Sequence, residues 1–565
     1  MAMAATNDSK TVKLRVIETS DVHGYFFPYD FISRKPLKGT LARVSTYVNR
    51  LREQYGDNLL LLDNGDILQG QPTCYYTNYV MPEQPNVAAK LTNYMRYNAE
   101  TIGNHDVETG HHVYDKWIRE VRCPMLGANI VDRETGQPFT HPYSIHMIDG
   151  VKIAVLGMLT PAIPNWLHES LWQGLEFKEM VTCAQYWVKR IQEDERPDLL
   201  FGLFHSGLNG GIRTPEYAEN ATEEVARQVP GFDIIFFGHD HTMHNTRIEN
   251  VAGDSVLCLD PSCFAQMVAD AKIELTYENG ILKHKHITGT IQSIADEEVD
   301  KQLVNHFQTD IDHVKAYVDR QLGTFDESIH AQDCFFGSAP FTDYIHNLQL
   351  RITGADISFN APLVYDAAIE KGPVRVSDLF KLYRYENMIY VLNLTGQEVR
   401  RHLEMSYDLW VNTMHSPQDH IMRIRQGAWT NDGERFGFEN MTFNFDSAAG
   451  IDYEVDVTKP DGEKVHILRM SNGEPFDEDR WYRVAMNSYR GNGGGELLTL
   501  GAGIPHDSLP RRIVYQSQHD ERYYIMKDIE AAGHVTAKAN GNWRFVPEEW
   551  AGPALLRDRA HIFGH

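Results

Sequence analysis

The chain reads as an α/β protein in which an N-terminal α/β sandwich is joined by a helix to a C-terminal α+β domain. Three observations predict this. Apolar strands alternate with helical stretches through the first half. One amphipathic stretch follows, and beyond it the pattern changes to a mixed segment with strands of its own. At 565 residues the chain also exceeds what one hydrophobic core usually holds. The expected boundaries are 10–295, a connecting helix over 296–324, and 325–565.

In chain order, the expected strands of the first half are Lys13–Thr19, Asn58–Leu62, Val151–Leu159, Leu199–Phe204 and Phe232–Phe237. In nearly every case a polar residue able to bind a cation sits just past the last apolar residue. Loops at the carboxyl ends of strands in open α/β sheets gather in one place, so these dispersed residues are expected to form one site. From Asp296 to Leu322, Leu303, Phe307, Ile311, Val314 and Val318 recur at intervals of three and four, and Gly323 reads as a helix stop. An ordinary packed helix fits that periodicity as well as a connector does. Its place between two differently patterned halves favours the connector. Further strands are expected at Met388–Leu394, Tyr453–Val457 and Tyr482–Met486, with no internal repeat and no low-complexity tract.

Composition narrows the partners. A formal net charge of −25 argues against a nucleic-acid polymer or an anionic membrane surface. A small anionic substrate stays open, because bound metal charge dominates its local field. No apolar run approaches the roughly 18 residues of a membrane span. The start, Met1 to Asn7, lacks the charged and apolar regions of a signal peptide. Cys74, Cys123, Cys183, Cys258, Cys263 and Cys334 show no metal-knuckle or redox spacing, and read as buried thiols with room for one bridge.

Six blocks carry the chemistry: Asp21-Val22-His23, Gly65-Asp66, Gly103-Asn104-His105-Asp106, His205, His239 and His241. An Asp-x-His triplet or an Asp-rich turn is weak evidence alone, since such turns are common for backbone reasons. A glycine followed by two imidazoles at alternate positions, Gly238 to His241, rarely arises from packing. Together the blocks form an oxygen and nitrogen donor set suited to Zn, Mn, Fe or Co. Asp21, His23, Asp66, Asn104, His205, His239 and His241 are too many for one tetrahedral ion and suit two. We assign Asp21, His23 and His241 to one divalent ion and Asn104, His205 and His239 to the other. Asp66 bridges, having two anionic oxygens. Two ions about 3.5–4 Å apart would turn a shared water into a nucleophile at neutral pH and clamp phosphoryl oxygens. His105, beside a ligand but not needed as one, is the expected general acid or charge stabiliser, oriented by Asp106 or Glu108. A loop-bracing role for His105 is the alternative.

These residues resemble the calcineurin-like metallophosphoesterases, and more narrowly the exported nucleotidases that join such a domain to a nucleotide-recognition domain. The resemblance runs from about Lys13 to Leu500. It implies the metal assignments above, a transition-state role for His105, a small nucleotide substrate, and export with the leader absent from this sequence. Two branches compete. The 5′-nucleotidases carry Asn-x-Gly-Gly-Ile-Arg in the C-terminal domain, whereas here the stretch is Asn360-Ala361-Pro362-Leu363. With Pro161 to Trp166, Ala218-Glu219-Asn220, Leu382 to Asn387, Phe443 to Asp446 and Asn487 to Gly495, it looks more like the 2′,3′-cyclic-nucleotide 2′-phosphodiesterase/3′-nucleotidases. The expected activity is therefore hydrolysis of 2′,3′-cyclic and 3′-nucleotides to nucleoside and phosphate. The alternatives are a 5′-nucleotidase and, from another class, a non-catalytic nucleotide- or metal-binding module.

The resemblance also implies that two aromatic rings sandwich the base. Phe443 fits one loop, and Tyr489 is the candidate for the other, because Glu496-Leu497 stands where an aromatic is common. Alternating Phe443 and Phe445 equally describe a strand with one buried face. Arg384, Arg490 and Asn360 are candidate phosphate or ribose contacts. The Gly493-Gly494-Gly495 run permits close backbone approach to a ligand, or simply a loop. Glu108 stands where many relatives have an aspartate.

Overall fold

A computed structural model describes residues 9–430 and 433–564, which divide into two compact units. The N-terminal residues discussed above, Met1 to Asn7, lie outside the described residues. One unit comprises residues up to Pro164 together with His168–Tyr317; the other comprises Asn165–Leu167 and Val318 onward.

The first unit is built on two six-stranded sheets. In one, Ser9–Thr19, Leu59–Asp63, Ala99–Thr101 and Met125–Leu126 run parallel, and the long strands Met267–Glu278 and Ile281–Ser293 add antiparallel at the edge. In the other, Val151–Leu159, Leu199–His205, Ile234–Phe237 and Ser255–Pro261 run parallel between the antiparallel edges Tyr143–Ile148 and Met243–Glu249. Parallel strands are covered on both faces, so they need continuous apolar runs. Leu59–Asp63 and Leu199–His205 are buried at every residue. Val16, Leu62 and Ala99 of one sheet meet Val155, Phe201, Leu203 and Phe236 of the other in a single core. The helix Met180–Asp194 closes the outer face of the second sheet through Ala184, Val188 and Ile191. The expected strands are all present, with ends shifted by no more than four residues.

The expected connecting helix is two. Asp300 caps Lys301–His306 by accepting from the amides of Gln302 and Leu303 at 2.9 and 3.1 Å. The chain bends at Phe307, and a second helix runs over Gln308–Val318. Leu303, Phe307, Ile311, Val314 and Val318 are all buried, so the apolar stripe packs as its spacing implied. Phe307 lies against Phe27, Tyr317 against Tyr76, and Lys90 reaches Asp310 at 2.5 Å. Both helices thus belong to the first unit almost to their end. Gly323 is not a helix stop but sits inside the strand Gln321–Phe325, where a Cβ would lie 2.8 Å from the Gly533 carbonyl.

The second unit centres on a five-stranded sheet in the order Ser447–Ala449, Ile357–Asn360, Trp481–Asn487, Met388–Thr395, Ile513–Asp520. The helix Gly396–Trp410 starts with a reciprocal cap. Thr395 Oγ1 accepts from the Glu398 amide at 3.2 Å while Glu398 Oε2 accepts from the Thr395 amide at 2.8 Å. Its inner face buries Leu403, Tyr407 and Trp410 against Phe445, Trp543 and Phe545. All six cysteines are free thiols, and no bridge forms. Among the described residues, no helix is long and apolar enough to cross a membrane.

Candidate metal centre and aromatic site

Seven side chains from five strand ends meet in the first unit. Asp21, His23, Asp66 and His241 place one ligand atom each within 4.8 Å of one another. His205 Nε2 lies 3.2 Å from Asp66 Oδ2. Asn104 Oδ1 is 3.1 Å from His205 Nε2 and 2.8 Å from His239 Nδ1. Asp66 therefore touches both groups. The backbone bends sharply to present these residues: φ is 50° at Asp21, 49° at His23, 54° at Asp66, 85° at His239 and 57° at His241. Such left-handed turns cost about 1 kcal/mol or more each for a residue with a side chain. The glycines are steric requirements. A Cβ on Gly103 would fall on Asp66 Oδ1, and one on Gly238 would meet Asp21 Oδ2 at 2.5 Å.

The hydrogen bonds behind the imidazoles fix which nitrogens face inward. His23 Nδ1 donates to the Gln69 carbonyl at 3.0 Å, and His205 Nδ1 to that of Asn64 at 2.6 Å. In the neutral ring, Nε2 then carries the inward lone pair. His239 is turned the other way: Nε2 meets Glu219 Oε1 at 3.1 Å, so Nδ1 faces the site. Acceptors therefore converge on acceptors. His23 Nε2 lies 3.1 Å from His241 Nε2, and two imidazole lone pairs face the Asn104 amide oxygen. Asp21 Oδ1 is buried with no hydrogen bond although His241 Nε2 is 3.2 Å away. A divalent cation would satisfy such a set, and its oxygen and nitrogen donors fit the metals expected from the sequence. Burial lowers the His23 imidazole to about 3, whereas at His205 the Asp66 and Asp21 carboxylates outweigh burial and raise it to about 10.

His105 lies at the edge of this set, its ring 5.3 Å from that of His23. Its Nδ1 pairs with Glu108 Oε2 at 2.6 Å. Burial lowers its basicity, but the Asp66 and Glu108 carboxylates outweigh that and raise it to about 9. Asp106 is not the orienting group. Its two oxygens accept from the amides of Asp66, Ile67, Leu68 and Gly103 at 2.8–2.9 Å, so it ties the two ligand loops together. Of the two candidates, the longer Glu108 is the one in contact. Glu219 lies in the Ala218-Glu219-Asn220 block but not among the expected site residues; only the fold shows that it meets His239.

The expected substrate contacts lie in the second unit. Phe443 and Tyr489 are neighbours, both half-buried, with ring centroids 6.1 Å apart. Their planes stand at 87°, edge to face. Arg490 is not a phosphate contact. It is 2% exposed and its guanidinium is spent on Asp446, Asn444 and the carbonyls of Phe443 and Gly494. Asn360 is buried at the end of its strand, and neither side-chain atom has a hydrogen-bond partner. Arg384 is half-buried, with its carbonyl held by Arg522 at 2.7 Å.

Comparison with known proteins is consistent along the chain. Residues 14–243 match the calcineurin-like phosphoesterase family, and residues 321–501 match the 5′-nucleotidase C-terminal domain. The Haemophilus influenzae 2′,3′-cyclic-nucleotide 2′-phosphodiesterase/3′-nucleotidase is 26% identical over 96% of this chain and 89% of its own length. The trifunctional nucleotide phosphoesterase YfkN of Bacillus subtilis is 26% identical over 95% of this chain, which spans only 39% of that protein. Among solved structures, a 5′-nucleotidase precursor from Thermus thermophilus superposes with a TM-score of 0.64 at 20% identity, covering 95% of this chain and all of that one.

Proposed function

The chain belongs to the calcineurin-like phosphoesterases that carry a 5′-nucleotidase C-terminal domain, and on that premise we propose that it is a two-metal nucleotide phosphohydrolase acting on 2′,3′-cyclic nucleotides and 3′-nucleotides. The observation that carries this reading is the convergence of seven acceptor side chains with Asp66 between the two groups. Asp21, His23 and His241 would hold one ion, Asn104, His205 and His239 the other, and Asp66 both. Divalent ions held there supply Lewis acidity toward phosphoryl oxygens and lower the pKa of water. The chain's own residues do the rest. The hydrogen bonds that the imidazoles donate to the Gln69 and Asn64 carbonyls and to Glu219 lock their tautomers before substrate arrives. His105, oriented by Glu108, delivers a proton to the departing ribose oxygen. Phe443 and Tyr489 offer ring faces to the base, which gives affinity for any base. Asn360 and Arg384 are the remaining candidates for contact with the sugar or phosphate.

The choice of branch is supported by the absence of a glycine pair and arginine after Asn360, and by full-length similarity to an enzyme named for both cyclic and 3′ substrates. A 5′-nucleotidase with the same metal chemistry is the second reading, favoured by likeness to a solved 5′-nucleotidase fold. Phosphate release from 2′,3′-cyclic AMP, 3′-AMP and 5′-AMP by metal-loaded protein separates them, with Asp66→Asn as control. Turnover of the cyclic and 3′ substrates that the control abolishes is the expected result; dominant 5′-AMP turnover overturns the branch. Nucleoside binding without any phosphate release would make the chain a binding module. Export belongs to the same reading, and recovery of the activity only from the cytoplasmic fraction would refute it.

A further inference from the structure

The two aromatic rings sit on loops far apart in sequence, and something must fix their spacing. Arg490, next to Tyr489, does so from beneath. Its Nε and Nη2 donate to the two oxygens of Asp446 at 2.8 and 3.0 Å. Nη2 also donates to the Phe443 carbonyl at 2.9 Å, and Nη1 to Asn444 Oδ1 at 3.2 Å and to the Gly494 carbonyl. One guanidinium therefore grips the loop that carries Phe443 at three residues while turning its own loop closed at Gly494. All five of its N–H donors are used, which leaves none for a phosphate.

Asp446 is anchored in turn. His402 Nε2 pairs with its Oδ2 at 2.8 Å, and Ser406 Oγ donates to its carbonyl at 2.8 Å. The His402 ring is fully buried and lies flat on Phe359, with centroids 4.1 Å apart and planes at 5°. Burial works against the Asp446 charge, but Arg490 and His402 overcome it and hold the carboxyl at about 2. The glycine run is explained by the same contacts. A Cβ on Gly494 would come within 2.5 Å of the Tyr489 ring, and one on Gly495 would overlap Asn444 and Arg490. These glycines make room for the clasp and the ring above it.

We propose that Arg490, Asp446 and His402 are positioning residues that set the separation of Phe443 and Tyr489, and so determine affinity for a planar heterocyclic base. This rests on the nucleotide reading above. A base stacked face-on against both rings needs about 7 Å between them, twice the optimal contact distance. The rings start 6.1 Å apart and perpendicular. Tyr489 is packed on Gly494 with the Arg490 cation 5.6 Å from its ring centroid, which leaves Phe443 as the ring to turn.

The test compares a substrate with a base and one without, using the full-length metal-loaded protein. Asp446→Asn and His402→Gln are expected to raise KM for nucleotides and Kd for adenosine together, by about tenfold. They should leave kcat and the hydrolysis of glycerol 2-phosphate unchanged. Arg490→Lys, which keeps the charge but loses the fork, should behave like Asp446→Asn. Phe443→Leu removes the ring without touching the ion pair and should raise the adenosine Kd and the nucleotide KM by a similar factor, which guards against variants that fail to fold. An unchanged adenosine Kd in folded Asp446→Asn overturns the proposal, as does a parallel fall on glycerol 2-phosphate. Parent protein that hydrolyses glycerol 2-phosphate but neither binds adenosine nor turns over nucleotides would overturn the nucleotide reading itself.

Discussion

At the scale of single residues, the candidate metal centre is a set of side chains whose outward hydrogen bonds leave one ligand atom of each imidazole facing inward. Glu219 matters because it accepts a hydrogen bond from His239 Nε2 and so turns Nδ1 inward. Glu219→Gln should weaken metal binding by about 10–100-fold, read by competition with a chelator, while the fold is kept. Gly103→Ala should do more harm, since its new methyl lands on Asp66; loss of metal together with about 1–3 kcal/mol of stability is expected in denaturant titration. Glu108→Gln should lower kcat by about 10²-fold if His105 is the proton donor, with metal content unchanged. That these seven side chains would meet was legible in the sequence, because glycine-flanked Asp and His blocks recur after apolar strands. The roles of Asp106 and Arg490 were not. An acid or a guanidinium looks the same in sequence whether it faces a substrate or is consumed by backbone amides and carbonyls, and only the fold supplies those partners.

Elements show where periodicity informs and where it stops. The stripe from Leu303 to Val318 forecast burial correctly, yet gave no sign of the bend at Phe307, because a buried apolar residue suits either side of a break. Gly323 misled for a related reason: glycine serves helix ends and close strand packing alike. The reciprocal cap at Thr395 predicts that Thr395→Ala costs about 1 kcal/mol. Inside the second unit, His346 of the helix Pro340–Thr353 is fully buried between Ser358 Oγ at 2.9 Å and Ser447 Oγ at 3.1 Å. Burial lowers it from 6.5 to about 3. The unfolded chain therefore takes up the proton first, and this contribution to stability, complete above 6.5, falls away as pH drops toward 3. His346→Gln should flatten that part of the acid denaturation curve; an unaltered slope would show that His346 is not its source.

For the whole molecule, two units with separate cores imply two unfolding steps. Divalent metal bound at the candidate centre would stabilise only the first unit by mass action. Chelation should lower one calorimetric transition and leave the other in place; a joint shift of both would mean the units unfold as one. The two-part organisation was legible because the apolar pattern changes character near the middle of the chain. The assignment of Asn165–Leu167 to the second unit was not, since three residues carry no periodic signal.

The left-handed turns at Asp21, His23, Asp66, His239 and His241 also bear on how such a sequence can drift. Asp, Asn and His tolerate that backbone far better than branched or bulky residues. A random change at these positions to an aliphatic residue is penalised by the turn itself before any loss of chemistry is felt. The exchanges that the backbone permits most easily, Asp or His to Asn, retain an oxygen donor in place of the original one. The turns thus channel mutation toward residues that still ligate, and make retuning of the site a shorter path than its erasure.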